Sequence, residues 1–118
     1  MKRLYAIFFS LISYTSVVAQ MGVLDASFVT GTGANNIVYT SNLQTDGKVI
    51  IGGIFNNYNG TTGQNRIARL NTDGSLDATF TIGTGANQTI ISSEIQPADG
   101  KILIGGNFTS YNGTARSR

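Results

Sequence analysis

The sequence predicts an all-β protein assembled from small antiparallel units in tandem. Three observations carry that expectation: a long internal repeat, Asp-Gly turns at fixed places in each copy, and a composition unsuited to helices. Gly occurs 15 times and Pro once in 118 residues, so turns are abundant and rest on glycine. No long stretch places apolar residues at helical spacing.

The repeat covers most of the chain. Gly22-Val-Leu-Asp-Ala-Ser-Phe28 recurs as Gly74-Ser-Leu-Asp-Ala-Thr-Phe80, and Gly31-Thr-Gly-Ala-Asn35 recurs unchanged as Gly83-Thr-Gly-Ala-Asn87. Asp46-Gly-Lys-Val-Ile-Ile-Gly-Gly53 returns as Asp99-Gly-Lys-Ile-Leu-Ile-Gly-Gly106, and Tyr58-Asn-Gly-Thr61 as Tyr111-Asn-Gly-Thr114. Over residues 22–61, 23 of 40 aligned positions are identical, with one inserted residue near Ala98. That insertion falls beside an Asp-Gly pair. A hairpin tip absorbs an extra residue, whereas within a strand it would turn every later side chain to the other face.

Each unit reads as four short strands. Residues 37–44 alternate, with Ile37, Tyr39 and Leu43 expected on one face and Asn42 and Gln44 on the other. The second copy sets Ile91 and Ile95 against Glu94 and Gln96. Residues 48–55 hold the continuous run Val49-Ile50-Ile51, the mark of a strand buried on both faces. The following Gly52-Gly53 pair predicts a bulge or a close backbone approach. A looser stretch, residues 56–64, leads to a third strand over 66–70. The Asp73-Gly74 turn then opens a fourth over residues 75–80. Four antiparallel strands in about 52 residues describe a β-propeller-like blade.

These motifs resemble the delta-60 repeat family of exported bacterial β-propeller proteins. The resemblance is carried by Ile67-Ala-Arg-Leu-Asn71, Asp73-Gly-Ser-Leu-Asp77, Phe80, the Gly-Thr-Gly-Ala-Asn boxes, and Asp-Gly-Lys followed by Gly-Gly-x-Phe. It implies a propeller fold within a secreted or surface protein and brings no catalytic residues. The chain is far shorter than that family's proteins, and two blades fall short of the ~4–8 that close a ring. The expectation is therefore two tandem repeats of an incomplete ring, a fragment whose second blade is truncated.

Residues 1–19 predict a signal peptide: basic Lys2 and Arg3, an apolar run from Leu4 to Ile12, and small residues Val17 and Ala19 before Gln20. The apolar run is shorter than the ~20 residues that span a bilayer, so no membrane anchor is expected after cleavage. The division is then a leader at 1–19, a first repeat at 20–73 and a truncated second repeat at 74–118. Of eight basic and six acidic residues, Lys2 and Arg3 leave with the leader, giving six of each and a neutral product. Neutrality argues against nucleic acid as a partner. With no Cys and no His, disulfides and thiolate or imidazole chemistry are excluded.

Candidate sites are few. Asn71, Asp73, Ser75 and Asp77 alternate like a calcium loop, but such a loop wants Gly at its sixth position and Glu at its twelfth, and here Gly74 is fourth and Ile82 twelfth. The hairpin turn is the preferred reading, and no metal or cofactor is expected. Asp46 with Asp99, or Asp25 with Asp77, are repeat copies of one another rather than the two distinct environments of a glycosidase pair. The Gly-Thr-Gly boxes lack a following helix and a Walker lysine, so they read as loops rather than phosphate sites. Asn-x-Thr occurs at Asn59, Asn87, Asn107 and Asn112. Tyr58, Asn59, Tyr111 and Asn112 mark candidate binding loops, with the tyrosines either sugar platforms or, as preferred, packing anchors. A non-catalytic scaffold, binding or adhesion module outside the cell is the expected function, its partner a glycan or surface protein. A glycan-acting enzyme domain and a structural spacer are the alternatives.

Overall fold

A computed structural model describes residues 24–116. The leader, its cleavage site and residues 20–23 lie outside the described residues. Nine short strands and no helix are present among those described.

The first blade is a three-stranded antiparallel sheet of β1 (Val38–Leu43), β2 (Val49–Gly53) and β5 (Ile67–Leu70), in the order β1-β2-β5. The β1–β2 hairpin turns through Asp46-Gly47, where Gly47 takes φ +83°. Between β2 and β5 lies a separate hairpin of β3 (Asn57–Tyr58) and β4 (Thr61–Thr62). The second blade repeats the plan with β6 (Ile90–Ile95), β7 (Ile102–Gly106) and a hairpin of β8 (Ser110–Tyr111) and β9 (Thr114–Ala115). The sheets stand side by side and stay open.

Burial on both faces of β2 follows from its apolar run. Ile50 and Ile51 point to opposite sides and are both buried. Ile50 joins Ile67, Ile82, Ala86, Ile90 and Phe108 in a core between the blades. Ile51 joins Phe55, Tyr58, Ala68 and Leu70 in a second core, covered by Phe28, Ala34 and Leu76. Each blade thus has a front, bearing Ile51 in the first and its copy Ile104 in the second, and a back, bearing Ile50 and its copy Leu103. The first blade sets its back against the front of the second.

Three expectations need correction. The first strand does not keep one apolar face through residues 37–43, because the register shifts between Val38 and Thr40. After that irregularity Thr40 and Asn42 turn toward the second blade, where Asn42 Nδ2 donates to the Ser93 carbonyl at 2.9 Å. Ile37, Tyr39 and Leu43 remain exposed. In the copy, Ile90 is buried while Ile91 is exposed. The cause is the Gly52-Gly53 pair: a Cβ on Gly53 would lie 2.1 Å from the Ile37 carbonyl oxygen, so β1 crosses β2 closer than a side chain allows.

The predicted fourth strand shrinks to a single bridge, Leu70 with Leu76, continued by one bond from Asp77 N–H to the Arg69 carbonyl (2.8 Å). Asp77 then captures the Thr79 N–H and hydroxyl, and an Asx-type turn diverts the chain before more ladder forms. Third, residues 56–64 are not a loose loop. Asn59 (φ +49°) and Gly60 (φ +79°) both adopt positive φ, as a type I′ hairpin turn requires.

Candidate functional site

The candidate loops meet at one end of each blade. In the first, the Gly-Thr-Gly-Ala-Asn box lies against the β3–β4 hairpin. Asn35 Oδ1 accepts from the N–H groups of Asn56 and Asn57, each at 3.1 Å. Asn59 N–H donates to the Gly33 carbonyl at 2.8 Å, and Asn59 Oδ1 accepts from Thr32 N–H at 3.2 Å. The second blade builds the same junction. Asn87 Oδ1 accepts from Thr109 and Ser110 N–H, both at 3.0 Å, and Asn112 Oδ1 accepts from Thr84 N–H at 3.0 Å. Glycine is needed at the contact, since a Cβ on Gly31 would sit 2.1 Å from Asn59 Oδ1.

This arrangement separates the four candidate residues. Tyr58 is 2% exposed, packed in the front core, and its hydroxyl donates to the Gly74 carbonyl at 2.9 Å. Tyr111 packs half-buried against the core between the blades. Burial raises both phenols above their ordinary pKa of 10.0. Asn59 and Asn112 sit at the hairpin tips, with their side-chain carbonyls committed to the box. Thr32, Thr61 and Thr62 stand exposed beside these contacts, whereas the Tyr58 ring does not.

The aspartates share one local role. Asp25, Asp46, Asp73, Asp77 and Asp99 each accept from the backbone N–H two residues ahead, at 2.9–3.1 Å. Asp77 alone also binds across strands. Its Oδ2 meets Lys48 Nζ and Arg69 Nε, both at 2.8 Å, with the carboxylate buried. Lys48, then Thr79 and Arg69, hold its carboxyl far below the usual carboxylate range. Arg69 in turn stacks 4.8 Å over the Phe80 ring. Of the alternating residues 71, 73, 75 and 77, Asn71 and Asp73 both bind Ser75, while Asp77 faces two cations. Sequence reasoning missed this node. Lys48 and Arg69 flank the aligned pair Val49–Leu70, a register that only the paired sheet reveals.

The family model for a domain of unknown function described as a beta-propeller (DUF5122) matches residues 44–80 and 98–118. The two segments start at equivalent turns of the repeat, the one before β2 and the one before β7, and the second corresponds to the opening part of the first. Both are β-propeller repeats. This agrees with the resemblance to delta-60 repeats, themselves a propeller repeat family. No curated protein and no solved structure matches the chain. In propeller terms, β1 and β6 are neighbouring first strands of adjacent blades, and the Asn-clamped junctions lie at one end of the assembly.

Proposed function

We propose that this propeller-repeat chain is an exported, non-catalytic module that presents its loop junctions to a glycan or protein at or beyond the cell surface. The observation that carries the reading is the repetition of one hydrogen-bonded junction, box joined to hairpin by Asn35 and Asn59, then by Asn87 and Asn112. Loops positioned by a rigid scaffold are where binding residues collect. The aspartates, by contrast, serve turns and one strand-bridging node.

The leader-like residues 1–19 support export. Protein recovered from outside the cytoplasm should begin at Gln20 by N-terminal sequencing; recovery of intact Met1 from a membrane fraction would favour an anchor instead. Screening that protein on a glycan array, with a parallel assay for released sugar, tests the activity. Retention without release is expected, whereas turnover would replace this reading with a glycan-acting enzyme.

A further inference from the structure

Five turns of this chain carry an Asp-Gly or Asn-Gly pair, and such a pair can react with itself. The glycine nitrogen, once deprotonated, attacks the side-chain carbonyl carbon of the residue before it, and the missing Cβ leaves the approach open. A glycine N–H already held by an acceptor must first give up that hydrogen bond, which slows the step. Gly47, Gly74 and Gly100 donate to the carbonyls of Gln44, Asn71 and Gln96 at 2.9, 3.0 and 2.8 Å. Gly60 donates to Asn57 Oδ1 at 3.0 Å. In the second blade Ser110 stands at the position of Asn57, and among the described residues Gly113 N–H has no acceptor. The two Asn-Gly turns are otherwise alike. Tyr-Asn-Gly-Thr surrounds both, Asn59 and Asn112 sit at φ +49° and +48°, and each gives its Oδ1 to a threonine N–H of its box.

We infer that Asn112 is a site of spontaneous deamidation and that Asn57 protects its copy, Asn59, from the same reaction. Gly113 N loses its proton to solvent and bonds to Asn112 Cγ. The Cγ–Nδ2 bond breaks, and the amide nitrogen takes a proton from water and leaves as ammonia. Thr84 N–H, donating to Asn112 Oδ1 at 3.0 Å, stabilises the negative charge that gathers on that oxygen during the attack. Water then opens the five-membered imide at either carbonyl carbon. One opening gives an aspartyl residue; the other gives an isoaspartyl link that routes the main chain through the side chain. The second junction thereby gains a carboxylate or a lengthened turn while the first keeps its amide, so two junctions built alike come to differ.

The full chain, held folded in mildly alkaline buffer, should be sampled over time and mapped by mass spectrometry. Trypsin cuts after Lys48, Arg66, Lys101 and Arg116 and so delivers the two turns on separate peptides. The peptide bearing Asn112 should show the mass gain of amide-to-acid conversion several-fold faster than the peptide bearing Asn59. In urea the two rates should converge, because the local sequences match. Asn57→Ser should bring Asn59 up to the rate of Asn112, and Ser110→Asn should slow Asn112 several-fold. Equal rates in the folded chain, no conversion at Asn112, or no response to either exchange would overturn the inference. A difference that persists in urea would overturn it too, since its cause would then lie outside the folded turn. Should a variant lose its β circular dichroism spectrum, the wild-type comparison of folded and urea-unfolded chain still decides.

Discussion

Asn59 and Gly31 show how much one contact demands of both its partners. Asn59 sits at φ +49°, a conformation that asparagine tolerates better than most residues, and spends its side-chain oxygen on the neighbouring loop. Gly31 sits at φ +61° beneath that oxygen. Gly31→Ala should cost about 1–2 kcal/mol through φ alone, with the clash added. Thermal melting should place the double variant Gly31→Ala/Asn59→Gly above Gly31→Ala, because the glycine removes the obstructing side chain. Equal melting of the two would mean that the loops separate without cost. The Asn59-Gly60 pair carries a hairpin signal although residues 56–64 read as a looser stretch, and the docking of Asn59 on a box 27 residues earlier is not legible at all. Side-chain hydrogen bonds over that separation depend on where the sheet carries each loop.

At the scale of the element, the Asp77 node ties β2, β5 and the segment after the Asp-Gly turn into one blade. Its pH dependence has a defined sign. A carboxyl whose folded pKa lies below its unfolded value of about 3.8 contributes its full stability above that value. The contribution is lost as pH falls toward the folded pKa. Asp77→Asn should therefore melt lower than wild type at neutral pH, and the gap should narrow as pH drops below about 4. Asp25→Asn serves as the comparison: Asp25 is exposed, and among the described residues it accepts from Ser27, which lowers its pKa in the same direction without a cation, so its gap should narrow less than that of Asp77. A constant gap across this range would show that the node's charge does not govern the blade. The doubly buried strand was readable from Val49-Ile50-Ile51. The faces of β1 were not, because the irregularity at Tyr39 answers to Gly52-Gly53 on the partner strand rather than to any residue in β1 itself.

For the whole molecule, cohesion rests on the core between the blades. Ile50 is fully buried there, so Ile50→Asp would place a carboxylate among Ile67, Ile90 and Phe108. Burying an unpaired charge costs several kcal/mol or forces the structure open, a loss comparable with the roughly 5–15 kcal/mol that hold a small domain together. Differential scanning calorimetry should show the single cooperative transition disappear. A retained sharp transition would mean that each blade folds independently of its neighbour. The prediction belongs at this scale because Ile50 has partners from both repeats.

Class, repeat, Asp-Gly turns and the strand with two buried faces are all readable in the order of residues, since each is local in chain or periodic in pattern. Tertiary structure decided which side chains of β1 meet the second blade, how short the fourth strand is, and that Tyr58 lies in the core. It also decided that Asp77 faces Lys48 and Arg69. Each of those outcomes depends on backbone register between strands or on the approach of one blade to the next, and neither distance is written in the order of residues.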